Sequence, residues 1–507
     1  MNALYSIEDV RTVEKAALAD LPIGTLMQRA GREAAKVAMS LLLPAQTPQK
    51  PVLVLAGPGN NGGDALEMAA LLATAGIPVS VLLVSNRKKQ SEEAKMARQK
   101  AIKSPVHWED ALSLQTTFKS IREREWALVV DGMFGIGLKE ALTGNRRKLA
   151  EIVNTFQCPV LALDVPSGLN ADTGNVVGND SVAVRATHTV TFIADKPGLH
   201  TAKGRDYAGN VYIADLDIDQ RFFPAARCWL NTPKLFGAYL KPRLHDSHKG
   251  SYGRLAVLGG ADGMGGAPVL ACRAALASGI GLCYAVYLKN PPVYDPVSPE
   301  IMFRAVHQFD FPTDVVVIGP GLGKSPVARD ELNRLLKTDQ PLVLDADALN
   351  ILAENPAWHS ALHERDAPCV ITPHPLEAAR LLDTTVLSVQ SDRVKAALEL
   401  AKKYHAVTVL KGSGTVIGSP DGNTVINPTG NPALATAGTG DVLSGLTGSL
   451  MGQGWPAWEA SLAAVWLHGK AADKLEKERN GNVGMTAGEI ASQVRLLING
   501  LIAERHS

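Results

Sequence analysis

Short apolar runs alternate with helical patterns through the first part of the chain. Between Pro51 and Asp217, six runs have the character of buried strands: PVLVLAG, VSVLLV, ALVVDG, VLALDVPSG, HTVTFIA and NVYIADL. Stretches with helical spacing of apolar residues lie between them. Because this alternation is typical of a parallel sheet with helices on both faces, the pattern predicts an α/β domain with three layers, αβα, of the Rossmann type.

The pattern breaks down between Arg221 and Lys249, where periodicity is lost and prolines interrupt the chain, as expected of a linker. Strand-like runs resume with RLAVLGG and continue through VVVIGPGLG, LVLDADAL, CVITPHP and VTVLKGSGTVIG. These runs end in glycines or small polar residues, which is where α/β proteins bind ligands. The sequence therefore predicts two α/β domains, residues 1–225 and 234–507, each with its own site.

Composition limits the classes of function. Of the 507 residues, 46% are hydrophobic and 20% charged, and the formal net charge of +1 gives no reason to expect a nucleic acid or an anionic membrane as partner. The amino terminus mixes acids and bases without an apolar core, unlike a secretory signal. The 5 cysteines are scattered, which favours reduced thiols in the cytosol. We expect a cytoplasmic homo-oligomer that acts on small molecules.

The first glycine-rich turn matches a dinucleotide-binding spacing, since Gly57, Gly59 and Gly62 fit G-x-G-x-x-G. A redox dinucleotide site also needs an acidic residue at the end of the next strand, to hold the ribose. Residues 85–89 occupy that place and contain no acid. The glycine spacing alone thus leaves a structural strand–helix turn as an open alternative.

Oxygen-bearing side chains follow two other strands of the first domain. Asp131 lies at the end of ALVVDG, and Asp164 and Ser167 lie at the end of VLALDVPSG. Because neighbouring strand ends converge, these groups predict an oxygen-rich cage, and one with so few acids suits a monovalent cation better than Mg²⁺. Asp164, two residues before Pro166, is a candidate acid/base group.

The segments PGNNGGD, DGMFGIGL and DVPSGL together resemble the epimerase (YjeF N-terminal) domain of the bifunctional NAD(P)H-hydrate repair enzymes. The resemblance implies that Asn61, Asp131 and Ser167 bind K⁺ and that Asp164, the candidate catalytic group, lines the substrate site. The family usually has glycine where Ala65 stands. The residues that the resemblance implies for binding the hydrated nucleotide are Asn60, Asn61, Gly62, Gly63, Asp64, Gly135, Ile136, Gly137, Leu138, Lys139, Glu140, Ala141 and Asp164.

Two glycine segments of the second half suggest phosphate binding. GPGLGKS fails the P-loop pattern, because Ile318 stands where that motif needs its first glycine. In ATAGTGDVLSG, the N–H groups of residues 438–440 begin a predicted helix and form an anion site. Asp441 in that turn is either a general base for a bound hydroxyl or an N-cap or first-turn Asp of the kind common at helix starts.

Six segments in one order, from KGSYGRLAVLGG to NPTGNPALATAGTGDVLSG, resemble the ribokinase-like NAD(P)H-hydrate dehydratases over residues 250–467. The resemblance implies a ribokinase-like α/β fold with Asp441 as the catalytic acid/base. In the loop at residues 262–265 the chain departs from the family, which commonly has Ser and Tyr there. The implied nucleotide-binding residues are Lys411, Gly412, Ser413, Gly414, Thr415 and Gly440; the implied hydrate-binding residues are Ala267, Gly321, His374 and Asp441.

Some of these side chains also have structural interpretations. Taken alone, His374 at a strand end would be a structural histidine. Asp345 and Asp347 either orient a Mg²⁺-bound phosphate or form an ordinary turn.

The two resemblances imply one activity. The first domain would interconvert the R and S forms of hydrated NAD(P)H, and the second would dehydrate the S form to NAD(P)H at the expense of ADP. The implied ions are K⁺ in the first site and Mg²⁺ in the second. A small-molecule kinase, which shares the ribokinase-like fold, and a non-catalytic scaffold role for the first domain remain the alternatives.

Overall fold

The computed structural model describes residues 2–42, 50–84, 91–109, 114–178, 181–311 and 313–506. The chain forms two compact units, Asn2–Cys228 and Trp229–Ser507. The division falls inside the predicted linker, which is partly ordered into a strand and a short helix. Asn231 is fully buried, and its N–H donates to the carbonyl of Ile426. Some residues that precede position 234 are therefore part of the packed core of the second unit.

Seven strands of the first unit form a wholly parallel sheet in the order β4-β3-β2-β5-β6-β7-β8. All six strands predicted for this part of the chain are present, as β2, β3 and β5 to β8. The elements of the unit are β1 (Ala3–Leu4), α1 (Ile7–Asp20), α2 (Thr25–Leu42), β2 (Val52–Ala56), α3 (Asn60–Thr74), β3 (Val79–Leu83), α4 (Glu92–Ile102), β4 (His107–Trp108), α5 (Leu114–Glu123), β5 (Leu128–Gly132), α6 (Gly144–Val153), β6 (Val160–Leu163), β7 (His188–Phe192), α7 (Gly204–Tyr207) and β8 (Asn210–Ala214).

Helices cover both faces of this sheet, as its continuously apolar strands predict. Alternate side chains of β2 belong to two different hydrophobic clusters. Val52 and Val54 pack with residues of α1 to α4, whereas Leu53 and Leu55 pack with residues of α5 and α6. The result is the predicted three-layer αβα arrangement.

The second unit has a mixed sheet in the order β9-β18-β17-β16-β15-β14-β13-β10-β11-β12. Along the part of the sheet ordered β16-β15-β14-β13-β10-β11-β12, neighbouring strands are parallel. Strand β17 is antiparallel to both of its neighbours, β16 and β18. The sequence pattern located β10, β13, β14, β15, β16 and β17 but missed β9, β11, β12 and β18.

The elements of this part of the chain are β9 (Cys228–Leu230), α8 (Pro233–Phe236), β10 (Arg254–Gly259), α9 (Gly266–Ala277), β11 (Leu282–Tyr287), β12 (Met302–Ala305), β13 (Val315–Ile318), α10 (Pro326–Leu336), β14 (Leu342–Leu344), α11 (Ala346–Glu354), α12 (Ala357–His363), β15 (Cys369–Ile371), α13 (Pro375–Leu381), α14 (Val386–Ser391), α15 (Arg393–Tyr404), β16 (Val407–Leu410), β17 (Val416–Gly418), β18 (Thr424–Ile426), α16 (Thr439–Gly452), α17 (Ala457–Arg479) and α18 (Ala487–His506). Among the helices of the described residues, none combines the length and apolar character that crossing a membrane requires.

Candidate active sites

A cavity of about 380 Å³ opens at the carboxyl edge of the first unit's sheet. Its volume lies in the range of small-molecule sites. Its walls come from α1, α2, the first turn of α3, the loop after β5 and the ends of β6 and β7. The predicted hydrate-binding residues on these walls are Asn60, Asn61, Asp64, Gly135, Ile136, Gly137, Leu138 and Asp164.

The other predicted hydrate-binding residues of this unit, Gly62, Gly63, Lys139, Glu140 and Ala141, lie off the walls described for the cavity. The two glycines allow close packing of the turn. A Cβ on Gly62 would lie 2.0 Å from the carbonyl oxygen of Gly57, and one on Gly63 would lie 2.6 Å from the sulfur of Met27. Residues 85–89, where the acid of a redox dinucleotide site is missing, are outside the described residues.

Asp131 and Ser167 form a buried pair at the ends of β5 and β6. The Ser167 hydroxyl donates to Oδ1 of Asp131 at 2.6 Å, and the Ser167 N–H donates to Oδ2 at 2.8 Å. Burial raises the pKa of Asp131 to about 6, although these hydrogen bonds act in the opposite direction. The structure thus brings together two of the three side chains that the sequence predicts for a cation.

Asn61, the third predicted cation ligand, is buried in the first turn of α3. Neither its side-chain oxygen nor its side-chain nitrogen has a hydrogen-bond partner. Leaving a buried polar group unsatisfied costs about 1–3 kcal/mol. A Cβ on Gly135 would lie 3.5 Å from the Cβ of Asn61 and 2.6 Å from Oδ2 of Asp164, so these two side chains converge on one loop. The amide is therefore placed for a ligand.

Ala65, where the family usually has glycine, packs under the same turn. It lies within helix α3 and is fully buried. A Cβ on Gly132 would lie 2.4 Å from the Cβ of Ala65. The methyl group therefore fits this turn because the neighbouring strand ends in glycine.

Asp164 lies on the cavity wall, and two donors hold its carboxylate in place. Its Oδ2 accepts the N–H of Ile136 at 3.0 Å, and its Oδ1 lies 3.0 Å from the Nζ of Lys196. Lys196 is fully buried, and sequence reasoning missed it. The signal for it was a lysine shortly after the run HTVTFIA, at the same sheet edge as the predicted site.

Further acids line the cavity with Asp164, and sequence reasoning missed two of them, Glu14 and Glu93. Burial, and then the charge of Asp164, raise the pKa of Asp64 well above its ordinary value. The pKa of Glu14 is raised by the same two causes. Both environments favour the protonated carboxyl, which can donate a hydrogen bond.

In the second unit, Asp441 lies in the first turn of α16. The N-cap of that helix is Gly438, which provides no side-chain cap, so Asp441 is a first-turn acid of the helix and not its N-cap residue. Burial and the charge of Asp345 raise the pKa of Asp441 to about 6, while Lys411 acts in the opposite direction. Such a value suits an acid/base group near neutral pH.

Lys411 pairs with an aspartate that the sequence left undecided. Its Nζ lies 2.7 Å from Oδ1 of Asp345, and the Ser444 hydroxyl donates to Oδ2 at 2.5 Å. Burial opposes ionisation of Asp345, but the Lys411 charge and these hydrogen bonds hold the pKa of Asp345 below its ordinary value. A Cβ on Gly440 would lie 3.6 Å from the Lys411 Nζ, so the lysine also reaches the start of α16.

His374 caps helix α13. Its Nδ1 accepts the N–H groups of Leu376 and Glu377, and its own N–H donates to the Glu377 carboxylate at 2.7 Å. Glu377 is buried 3.9 Å from Lys411, and burial raises its pKa to about 7 although Lys411 acts in the opposite direction. His374 thus has the structural role considered for it, and the reciprocal capping pattern was a signal for Glu377 that sequence reasoning missed.

The remaining predicted residues of this unit lie on two loops. Gly412, Ser413, Gly414 and Thr415 form the connection between β16 and β17. Gly321 contacts the start of α9, since a Cβ there would lie 3.3 Å from the Cβ of Ala267 and 2.8 Å from the Cβ of Met264.

The rejected P-loop segment has other contacts. Lys324 pairs with Glu354 at 2.6 Å, and Asp347 accepts the N–H of Gly323 at 2.8 Å. Asp347 therefore stabilises a turn, which is the structural one of the two interpretations considered for it.

Comparison with known proteins gives two family matches. Residues 24–198 match the family described as YjeF-related protein N-terminus, and residues 255–495 match NAD(P)H-hydrate dehydratase. The chain is 38% identical to the bifunctional NAD(P)H-hydrate repair enzyme of Coxiella burnetii, over 98% of this chain and 100% of that one. It is 36% identical to the enzyme of the same name from Escherichia coli, over 100% and 96%.

Among solved structures, the second half is similar to an ADP/ATP-dependent NAD(P)H-hydrate dehydratase from Bacillus subtilis co-crystallised with ATP and Mg²⁺. The identity is 31%, the match covers 54% of this chain and 98% of that one, and the TM-score is 0.47.

Proposed function

The chain belongs to the bifunctional NAD(P)H-hydrate repair enzymes, and within that family we propose that the unit Asn2–Cys228 is the epimerase and the unit Trp229–Ser507 the ADP-dependent dehydratase. The observation that carries the proposal is the position of Asp441. It is half-buried at the glycine start of a long helix, next to the Lys411–Asp345 pair.

The substrate's chemistry fits two carboxylates in two sites. The hydrated ring carries a hydroxyl on C6, which is also bonded to the ring nitrogen. Inverting that carbon requires a bond to C6 to break and re-form, with proton exchange at the hydroxyl. Asp164, fixed on the wall of the first cavity, is the acid/base group we assign to that exchange.

Asn61, Asp131 and Ser167 would hold K⁺ in the first site. The unsatisfied buried amide of Asn61 and the oxygens of the Asp131–Ser167 pair provide hard ligands with one formal charge. A set of oxygen ligands with so little charge suits a large monovalent cation. When bound, the ion supplies a positive charge that compensates the buried Asp131.

Dehydration needs help because hydroxide is a poor leaving group. We assign the phosphate end of ADP to the N–H groups at the start of α16, where the helix dipole favours an anion. Transfer of the terminal phosphoryl group of ADP to the C6 hydroxyl releases AMP, while Asp441 takes the hydroxyl proton. The C6–O bond then breaks with departure of phosphate, and loss of a proton from C5 restores the C5=C6 double bond. Residues 411–415 and Gly440 form the nucleotide side of the site, and Ala267, Gly321 and His374 the hydrate side.

Mg²⁺ would be held mainly by the nucleotide. Among the described residues, no group of three or more His, Cys, Asp or Glu side chains is arranged to hold a metal. Mg²⁺ is commonly bound by one or two carboxylates together with substrate phosphates. Asp345, which lies 2.7 Å from the Nζ of Lys411, is the carboxylate we assign to that ion, and the ion would supply charge neutralisation of the phosphates.

A direct test incubates the full chain with separated R and S hydrates of NADH and follows the absorbance of the restored dihydronicotinamide. We expect the S form to react when ADP is added, and the R form to react faster than its spontaneous epimerisation allows. Parallel samples with ATP or without nucleotide establish the nucleotide requirement. A chain that left both hydrates untouched but phosphorylated a small alcohol would be a kinase, and the proposal would fail.

A further inference from the structure

Two strained turns lie side by side at the carboxyl edge of the first unit's sheet. After β6, the N–H of Val165 donates to the carbonyl of Leu163 at 2.8 Å around Asp164, whose φ is +66°. After the neighbouring β7, the N–H of Ala194 donates to the carbonyl of Phe192 at 2.8 Å around a residue with φ +70°. This bonding around a positive φ is the rare, strained form of the γ-turn.

The residue at the centre of the second turn is Ile193, a β-branched side chain for which positive φ is a genuine outlier. Strain of this kind amounts to about 1–3 kcal/mol for each residue and persists only where the surroundings enforce it. The contacts that enforce these turns are therefore informative about function.

One side chain joins the two turns. The Nζ of Lys196 donates to the carbonyls of Phe192 and Ala194, each at 3.0 Å, and to the hydroxyl of Thr191 at 2.6 Å. The same nitrogen lies 3.0 Å from Oδ1 of Asp164 at the centre of the first turn. The ammonium group thus bonds the carbonyls on both sides of Ile193 and the carboxylate at the other turn.

The charge of Lys196 is compensated by that carboxylate. Lys196 has 0% exposure, and an isolated buried ammonium is strongly disfavoured. Its other three partners are neutral oxygens. Asp164 lines the cavity, whereas Lys196 is not among the residues of the cavity wall. Lys196 therefore acts on the bound substrate through the wall residues that it holds, which are Asp164 and the turn at Phe192 and Ile193.

We propose that Lys196 is a positioning residue for epimerisation, which fixes the Asp164 carboxylate on the cavity wall by joining it to the turn around Ile193. With Oδ1 in an ion pair with Lys196 and Oδ2 accepting the N–H of Ile136, the carboxylate cannot rotate without losing both contacts. Fixed geometry of a proton-transfer group is a large part of its catalytic effect. This inference rests on the proposed epimerase role of the first unit.

The test compares Lys196→Met, Asp164→Asn and the double variant in the full chain. The R hydrate with ADP reports epimerisation, and the S hydrate with ADP reports dehydration by the same protein. We expect Lys196→Met to lower the epimerase kcat by about tenfold to a hundredfold with KM changed by less than about threefold. Because the two residues act as a unit, the double variant should be no slower than Asp164→Asn alone.

Lys100→Met is the matched control, since Lys100 pairs at 2.5 Å with the buried Glu67 of the same unit, off the cavity. It should change stability but keep the epimerase kcat. If Lys196→Met does not fold, it is replaced by Lys196→Gln, which keeps hydrogen-bond donors for the turn around Ile193 but has no charge to pair with Asp164. An epimerase kcat within about threefold of wild type in either folded variant, or effects that multiply in the double variant, would overturn the proposal. A wild-type chain unable to epimerise would instead defeat the proposed function.

Discussion

Lys411 and Asp345 form a buried ion pair, with 2.7 Å between Nζ and Oδ1. The pair fixes the lysine charge where it acts on Asp441, lowering a pKa that burial and Asp345 raise. A lysine expected only to contact the nucleotide therefore also adjusts the proton affinity of the proposed base. Breaking the pair should affect catalysis as well as nucleotide binding.

The pH dependence of dehydration should show the ionisation of Asp441. A general base is active when deprotonated, so with a pKa of about 6 the dehydratase kcat/KM should be constant above neutral pH and fall as the pH drops through 6. Lys411→Met removes the charge that lowers this pKa, and the acid limb should move to higher pH. The profile is measured with the S hydrate and saturating ADP; a limb at the wild-type pH in a folded Lys411→Met variant would contradict the coupling.

Asp441→Asn separates the catalytic role from a structural one. Because Gly438 and not Asp441 is the N-cap of α16, the melting temperature and ADP binding should stay near wild type. Loss of a positioned base should slow dehydration by about 10²–10⁴-fold. Epimerisation by the same chain, measured as loss of the pure R form by chromatography, is the internal control. Wild-type dehydration in the Asn variant would remove Asp441 from the mechanism.

Potassium should support epimerisation through Asn61, Asp131 and Ser167. We expect the epimerase rate to fall when K⁺ is replaced by tetramethylammonium, which is too large for the site, while dehydration of the S form is measured alongside. Asp131→Ala should weaken both K⁺ dependence and hydrate binding, because it removes the charged ligand and an acceptor of two Ser167 hydrogen bonds. Full epimerase activity in K⁺-free buffer would argue against a catalytic or organising ion.

The two units should fold separately, and the stability of the second unit should depend on the residue at which the fragment begins. A fragment over residues 224–507 should dehydrate the S hydrate and leave the R form to spontaneous epimerisation. A fragment over residues 234–507 lacks Asn231, whose buried amide donates to Asn427 and to the carbonyl of Leu462, and should melt at a lower temperature. Rapid consumption of both epimers by either fragment would show that epimerisation does not belong to the first unit.

The features that could be predicted from the sequence are those that depend on neighbouring residues in the chain. The strand ends carrying Asp131 and Asp164, and the glycine start of α16, follow from apolar runs and small residues alone. Lys196 could not be placed in the same way, because its ammonium reaches Asp164 only after the chain turns at Ile193. A positive φ at a β-branched residue is the opposite of what its propensity predicts.

Asp345 shows a second limit of the sequence. Beside Asp347 in DADAL it has the pattern of an ordinary turn, and its role depends on two partners far along the chain, Lys411 and Ser444. Burial raises the pKa of Asp441, and the charges of Asp345 and Lys411 then adjust it. No local motif records these effects.

The contact between Ala65 and Gly132 has a consequence for how this protein can change by mutation. The two positions share room for a single methyl group, since a Cβ on Gly132 would lie 2.4 Å from that of Ala65. Gly132→Ala should therefore be damaging here yet tolerated after Ala65→Gly, with small shifts to relieve the remaining contacts of 3.2 Å to two backbone oxygens. The order of substitutions along a mutational path is thus constrained: position 65 must lose its methyl before position 132 can gain one.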